Sequence, residues 1–257
     1  MKRSLSELFS LLYNDEPYCA TGDLFGFDTE AASPQYEQDD VQLIANFYSS
    51  GFCPSLLPEP ARCFYELSAN AFGDFIHAWM SELPIEAQLL KYGRRVIALG
   101  EMAAGDRGDA DTVTVLNAAS KAQFEVHRML GFLRFSSDEN NFYTARCAPD
   151  HFVLPGLGEH FTSRFGETGW AIIDEKRGLC LCKTKDSDAR IISCPALTPS
   201  GEPTEAASEK AADSWEELWR LYHRSINNEG RKNLKLQRQL MPERYHKYLP
   251  EMEHKRD

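Results

Sequence analysis

Residues 170–182 read WAIIDEKRGLCLC, two short apolar runs on either side of a four-residue turn that ends in glycine. Such runs joined by a short glycine-containing turn are typical of a β-hairpin. Residues 132–135 and 142–147 predict a second hairpin before it, and residues 190–194 predict a strand after it. This part of the chain therefore predicts an antiparallel sheet.

On both sides of the predicted sheet the apolar residues recur with a helical period. Ser4 and Glu7 form a capping box ahead of the first helix, and Gly131 ends the last helix before the sheet. Further helices are predicted at residues 41–48, 61–80, 85–99, 112–130 and 157–165, with a polar loop at 103–111. The fold class is α+β, with N-terminal helices, a central antiparallel sheet and a C-terminal helical arm.

Composition divides the chain into four parts. We expect an acidic, loop-rich N-terminal segment at residues 1–60, an α+β core at 61–194, a flexible linker at 195–213 and a basic helical C-terminal arm at 214–257. Residues 1–66 hold three Lys or Arg against eleven Asp or Glu, whereas residues 220–257 hold ten against five. The linker offers too little apolar area to offset the entropy of ordering it, so we expect proteases to cut there first.

The overall composition excludes several classes of protein. No apolar run approaches the roughly 20 residues that span a bilayer, so we expect no membrane partner. Seven cysteines, an odd number, fit reduced thiols and a cytoplasmic location better than a disulfide framework. The formal charge of −11 argues against indiscriminate nucleic-acid binding, so any contact with phosphates must come from a local basic cluster.

Cofactor and metal motifs are absent from the sequence. It contains no P-loop, no G-x-G-x-x-G, no H-E-x-x-H, no G-x-S-x-G and no C-x3-C-x2-C spacing. Paired C-x2-C ligands are also lacking, and Cys180 and Cys182 alternate on a strand like core residues. We therefore expect neither a cofactor nor a metal ion.

Two histidines are the candidate acid–base groups. Gln123 and His127 fall within the apolar stripe of helix 112–130, so we expect both to be partly buried and hydrogen-bonded, with Arg134 nearby. This pattern fits a core histidine that is hydrogen-bonded to a backbone carbonyl, or a polar pocket beside the adjoining strand. His160 and Arg164 lie four residues apart and share one helical face.

The C-terminal arm interleaves basic residues with amides and aromatics, from Arg220 to Tyr245. This is the composition of segments that contact phosphates and bases. The same residues fit an amphipathic helix that packs against its own acidic chain, and charge alone leaves both readings open.

Three stretches of the chain, taken together, resemble a known family. They are HRMLGFLRF at 127–135, HFTSRF at 160–165 leading to WAIIDEKR at 170–177, and RKNLKLQ at 231–237 with MPERY at 241–245. The set resembles a bacterial family of DNA metabolism or DNA repair proteins built around a domain of unknown function. That domain also occurs fused to uracil-DNA glycosylase-like domains and beside radical-SAM proteins. The resemblance covers roughly residues 61–250.

The resemblance implies a role in DNA repair or DNA metabolism. With the basic arm, it suggests the nucleic-acid or anion-binding residues Arg128, Arg134, Arg164, Arg177, Arg231, Asn233, Gln237, Arg238, Arg244 and Tyr245. We expect an accessory protein that binds DNA, a catalytic partner, or both, the partner being a radical-SAM or uracil-DNA glycosylase-like protein. One alternative is an enzyme that acts on a nucleic-acid component with His127 and His160 as acid–base groups. Another is a pure protein-interaction module.

Overall fold

A computed structural model describes residues 3–14, 36–138, 140–194, 221–222, 225, 230 and 233–255. Its α-helices are α1 (Leu5–Tyr13), α2 (Gln38–Tyr48), α3 (Glu59–Leu67), α4 (Ala69–Met80), α5 (Glu86–Leu99), α6 (Glu101–Ala104), α7 (Ala110–Phe132), α8 (Gly158–Phe165) and α9 (Leu234–Leu240). Its strands are β1 (Ser136–Ser137), β2 (Tyr143–Cys147), β3 (Trp170–Asp174), β4 (Leu179–Lys183) and β5 (Arg190–Ser193). The α+β class is confirmed, and the predicted linker at 195–213 lies outside the described residues.

The chain forms two compact units. One contains Met1–His127 and Pro149–Glu159, and the other contains Arg128–Ala148 and His160–Asp257. The first is helical, and the second holds the sheet and the C-terminal segment. Among the described residues, none of the helices combines the length and hydrophobicity needed to cross a membrane.

The core of the first unit is built around Phe9 of α1. Its ring lies 5.6 Å from that of Phe72 and 4.8 Å from that of Phe75, both on α4. The predicted capping box of α1 is present, and the buried carboxylate of Asp40 on α2 also accepts a hydrogen bond from the backbone N–H of Leu5 at 2.9 Å. Two carboxylates near the N-terminus of α1 suit its helix dipole.

The single helix predicted at residues 61–80 is interrupted at Ser68. Ser68 is extended, with φ of −161°, and its hydroxyl accepts a hydrogen bond from the N–H of Ala71 at 3.0 Å. Serine satisfies a free backbone donor at a helix start, so it begins α4 as a new helix. The apolar spacing continues across the break, which is why periodicity alone did not reveal it.

Helix α7 is longer than predicted and takes in residues assigned to a strand. It continues through Gly131 to Phe132, and the first strand is reduced to Ser136–Ser137. The predicted strand at 132–135 is therefore wrong. Gly131 costs helix stability but does not force a stop, since a glycine ends a helix only when its backbone takes the left-handed conformation.

The sheet has the order β1-β2-β3-β4-β5, and it is mixed rather than antiparallel. Strands β2 and β3 are parallel, with Tyr143 opposite Trp170 and Cys147 opposite Asp174, while the other neighbouring pairs are antiparallel. Residues between Cys147 and Trp170 form a long connection that contains α8. A parallel pair requires such a crossover, which returns the chain to the starting end of the strand. The β3–β4 hairpin forms as predicted.

The described C-terminal segment packs within the second unit. After α9 it forms 3-10 helices at Glu243–Tyr248 and Pro250–Lys255. Tyr245, Leu249 and Met252 are buried, and the first of these helices contacts β2. We call residues 243–252 the docked segment.

Candidate nucleic-acid interface

Strands β2 and β3 end side by side, and an ion pair is buried just beyond them. Asp174, at the end of β3, accepts hydrogen bonds from the backbone N–H groups of Lys176 and Arg177 at 3.0 and 3.2 Å. The Arg177 guanidinium lies 2.8 Å from the same carboxylate, and both side chains are almost fully buried. Burial raises the pKa of Asp174, while Arg177 and the two amides oppose that shift. Arg177, a predicted anion-binding residue, thus holds the hairpin turn.

Glu175, the next residue, joins three separate parts of the second unit. Its carboxylate accepts a hydrogen bond from Tyr248 Oη at 2.7 Å and lies 3.3 Å from Arg146 and 3.4 Å from Lys247. Burial raises the pKa of Glu175, but the hydrogen bonds from Tyr248 and Arg146 and the charge of Lys247 outweigh burial and lower it. The docked segment is therefore tied to the sheet by a carboxylate that stays ionised at neutral pH.

Two exposed cations lie beside this carboxylate, and two more are close to them in the chain. The Arg146 and Lys247 side chains are 50% and 55% exposed, and Lys176 follows Glu175 in the turn and is exposed. Arg244 lies three residues before Lys247 in a 3-10 helix, where such residues stack on one face. We call Arg146, Lys176, Arg244 and Lys247 the basic surface.

Two of these cations lie over aromatic rings. The Arg244 guanidinium is 4.6 Å from the centre of the Tyr245 ring, and the Lys247 ammonium is 4.5 Å from that of Tyr248. A ring face attracts a cation and restricts its side chain without neutralising the charge. These charges are thus held in position at the surface, which lowers the entropy cost of binding an anion.

Four of the predicted anion-binding residues make contacts with or within the C-terminal part of the chain. Arg134 donates to Glu251 at 2.8 Å and to the Gly131 carbonyl at 2.6 Å, and the side chain of Glu251 is only 4% exposed. Tyr245 is 1% exposed and packs against Phe132, with ring centres 5.6 Å apart. The remaining contacts are from Gln237 Nε2 to Met252 Sδ at 3.9 Å and from Arg128 to the Gln239 carbonyl at 3.5 Å.

The other predicted residues have different environments. Asn233 caps α9 by accepting from the N–H of Leu236 at 3.0 Å. Arg238 is 71% exposed and pairs with Glu243, which is 70% exposed, so this pair contributes little. Arg164 is exposed on α8, and Arg231 lies outside the described residues.

The expected burial of His127 and Gln123 is wrong. Both are exposed, whereas Glu125, which lies between them in the sequence, is only 2% exposed. The buried residues of α7 include Val115, Ala118, Ala122 and Met129, and Gln123 and His127 lie outside the face that these residues form.

Glu125 is buried because it binds backbone donors. Its two carboxylate oxygens accept from the N–H groups of Asp150 and His151 at 2.9 and 2.7 Å. His151 Nδ1 in turn donates to the Ser81 carbonyl at 2.7 Å. His160, the second acid–base candidate, is exposed. Its ring centre lies 4.9 Å from that of Phe161, and the two rings are perpendicular.

Sequence reasoning missed most of the basic surface. Arg146 lies between the buried residues Ala145 and Cys147, so strand alternation alone predicts an outward side chain. Lys247 and Tyr248 follow the MPERY stretch, whose own tyrosine is a core residue. Their joint contact with Glu175 spans more than 70 residues of sequence and carries no local signal.

The described residues include no group of three or more His, Cys, Asp or Glu side chains arranged to hold a metal ion.

Searches of curated proteins and of solved structures find no match to this chain. A family model, described as a domain of unknown function (DUF4130), matches residues 84–251, well over half of the sequence. That span includes every strand of the sheet and nearly all of the docked segment. The chain therefore belongs to the DUF4130 family.

Proposed function

We propose that this protein binds the phosphate backbone of nucleic acid through the basic surface, as an accessory protein in DNA repair or DNA metabolism. The observation that carries the proposal is the grouping of Arg146, Lys176 and Lys247 around Glu175, with Arg244 on the same face of the docked segment. Two exposed cations paired with Glu175, together with the exposed residues Lys176 and Arg244, form a local positive surface on a chain of net charge −11.

Phosphate oxygens fit this surface chemically. Arginine offers a planar fork of donors to them, and lysine offers a point charge. The acidic remainder of the chain repels phosphates, so binding depends on this surface and weakens steeply with salt. Because His127 and His160 are both exposed, their positions favour a binding role over a buried acid–base site. Catalysis then belongs to a partner, for which a radical-SAM or uracil-DNA glycosylase-like protein is the candidate.

Fluorescence anisotropy with labelled DNA tests the proposal. In the test variant all four residues of the basic surface are changed to glutamine. We expect the affinity at about 100 mM salt to fall at least tenfold, and the slope of log K against log salt to fall by roughly one for each phosphate that the variant no longer binds.

A matched variant removes the same charge elsewhere. It changes four other exposed cations to glutamine: Arg107, Lys121, Lys185 and Arg190. We expect it to retain most of the parent affinity. Equal losses in the two variants, or no binding by the parent chain at about 50 mM salt, would overturn the proposal.

A further inference from the structure

Glu175 divides its contacts between its two carboxylate oxygens. Oε1 lies 3.3 Å from Arg146, while Oε2 accepts a hydrogen bond from Tyr248 Oη at 2.7 Å and lies 3.4 Å from Lys247. A hydrogen bond from a cation to a carboxylate usually spans about 2.7–2.9 Å, so both cations pair with Glu175 at longer distances than that. Tyr248 makes the close contact, and Glu175 can keep it while Arg146 and Lys247 turn away.

The two ion pairs are also weakened by solvent. The side chains of Arg146 and Lys247 are 50% and 55% exposed, and that of Glu175 is 29% exposed. An ion pair this exposed changes an equilibrium constant by only about 1.4- to 5-fold, because water and salt screen it and two long side chains lose entropy in it. A phosphate group can therefore replace Glu175 as the partner of each cation.

This replacement lowers the affinity of the basic surface. Arg146 and Lys247 already have an anionic partner in the free protein, and its attraction is lost when they turn to a phosphate. A bound phosphate also meets the negative charge of Glu175, which stays ionised at neutral pH because its pKa is lowered. Both effects act in the same direction, and the two ion pairs together correspond to about 2- to 25-fold in affinity.

We propose that Glu175 is an internal competitor for phosphate: it pairs with Arg146 and Lys247 in the free protein and releases both cations when nucleic acid binds, so that it limits the affinity of the basic surface. The inference rests on the proposed function, because it describes how the same surface is regulated. The competing carboxylate is held in place by Tyr248 and therefore remains beside the two cations when no ligand is bound.

Fluorescence anisotropy with labelled DNA tests this role on the variant Glu175→Gln. Glutamine removes the charge and keeps an oxygen that can accept the hydrogen bond from Tyr248. We expect the variant to bind DNA about 2- to 25-fold more tightly than the parent chain at about 100 mM salt.

A double-mutant cycle with Arg146→Gln isolates the competition. In the parent, Arg146 must leave the carboxylate before it binds phosphate, whereas in the Glu175→Gln background it has no such partner to leave. We therefore expect Arg146→Gln to lower the affinity about 1.4- to 5-fold more in the Glu175→Gln background than in the parent.

Two control variants separate this effect from other causes. Tyr248→Phe removes the hydroxyl that binds Glu175 and leaves every charge in place, so it tests whether a looser docked segment raises affinity. Glu167→Gln changes the net charge by the same amount at an exposed residue outside the basic surface. Neither should reproduce the gain of Glu175→Gln, and thermal unfolding checks that each variant is folded.

A measurement on the parent chain needs no variant. DNA binding removes both cations from Glu175 and brings phosphates close to it, while the hydrogen bond from Tyr248 stays. The pKa of the Glu175 carboxyl group, followed by NMR of its carboxyl carbon, should therefore be higher with DNA bound than without it.

The two proposals fail in different ways. The internal competitor is overturned if a folded Glu175→Gln variant gains no affinity, if either control variant gains as much, or if DNA leaves the pKa of Glu175 unchanged. Additive effects in the double-mutant cycle overturn it as well. The proposed function survives each of these results if changing the basic surface to glutamine still abolishes binding. A parent chain that does not bind DNA overturns both.

Discussion

Glu125 and His127 are two residues apart on α7 and lie in opposite environments. The Glu125 carboxylate is buried and accepts two backbone hydrogen bonds from the chain at Asp150 and His151, whereas His127 is exposed. Two backbone amides bound to one carboxylate have no comparable replacement inside the protein. Glu125 therefore fixes the start of the connection between β2 and β3.

The two side chains should respond very differently to truncation. We expect Glu125→Ala to lower the free energy of unfolding by about 2–3 kcal/mol, because backbone donors lose their acceptor. His127→Ala should change it by less than about 0.5 kcal/mol, as for other exposed positions. Urea denaturation of both variants measures these values. Glu125→Gln keeps one acceptor oxygen and should lie between them; a larger loss for His127→Ala than for Glu125→Ala would contradict this assignment.

At the scale of an element, the docked segment is attached to the sheet by apolar and polar contacts together. Tyr245, Leu249 and Met252 supply the buried area. Glu175 binds Tyr248 and Lys247, and Arg134 binds Glu251. Two of the four cations of the basic surface lie on this segment, so its attachment and the proposed binding are linked.

The attachment of the docked segment through Glu175 should weaken at acid pH. Hydrogen bonds from Tyr248 and Arg146 and the charge of Lys247 outweigh burial and hold the pKa of Glu175 below its ordinary value of about 4.3. A carboxyl group with a lowered pKa in the folded state contributes stability that is present above its unfolded pKa and is lost as the pH falls through its folded pKa. The docked segment should therefore loosen below about pH 4.

Glu175→Gln tests this dependence. Above about pH 5 we expect the variant to be less stable than the parent, and the difference should shrink as the pH falls below about 4. Denaturant unfolding at several pH values gives the difference, and hydrogen exchange at Leu249 reports on the segment directly. A difference that is constant from pH 3 to pH 7 would show that Glu175 does not act through its charge.

At the scale of the whole molecule, each of the two units carries carboxyl groups with raised and with lowered pKa values. In the first unit, burial and the nearby charge of Glu101 raise the pKa of Asp74 to about 6. A carboxyl group whose pKa is raised in the folded state contributes stability that is present below its unfolded pKa and is lost as the pH rises through its folded pKa. The contribution of Asp74 to the stability of the first unit should therefore increase as the pH is lowered from about 6 to about 4.

Asp74→Asn should remove this dependence. At pH 8 we expect the variant to be more stable than the parent by about 1 kcal/mol, a value discounted for the partial exposure of the carboxyl group. At pH 4 the two proteins should be equally stable. Thermal unfolding across this range checks the prediction, and a variant that is destabilised at pH 8 would show that the Asp74 carboxylate has a favourable role when ionised.

Features that depend on neighbouring residues could be predicted from the sequence alone. The capping box at Ser4 and Glu7, the β3–β4 hairpin and most helix positions are set by contacts within a few residues, and all are present in the structure. The α+β class follows from these local elements. Even the break at Ser68 has a local cause, although its apolar spacing concealed it.

Features that depend on distant residues were decided by the tertiary structure. The direction of β3 relative to β2 is set by the crossover between them, and the face of α7 that is buried depends on the elements that cover it. Arginines in the sequence look alike, yet Arg177 is buried on Asp174 and Arg146 is exposed beside Glu175. The sequence determined which charges exist and which elements carry them. Only the packing of distant elements determined which charges are buried in the interior and which remain exposed at the surface, because burial is a long-range property of the folded chain.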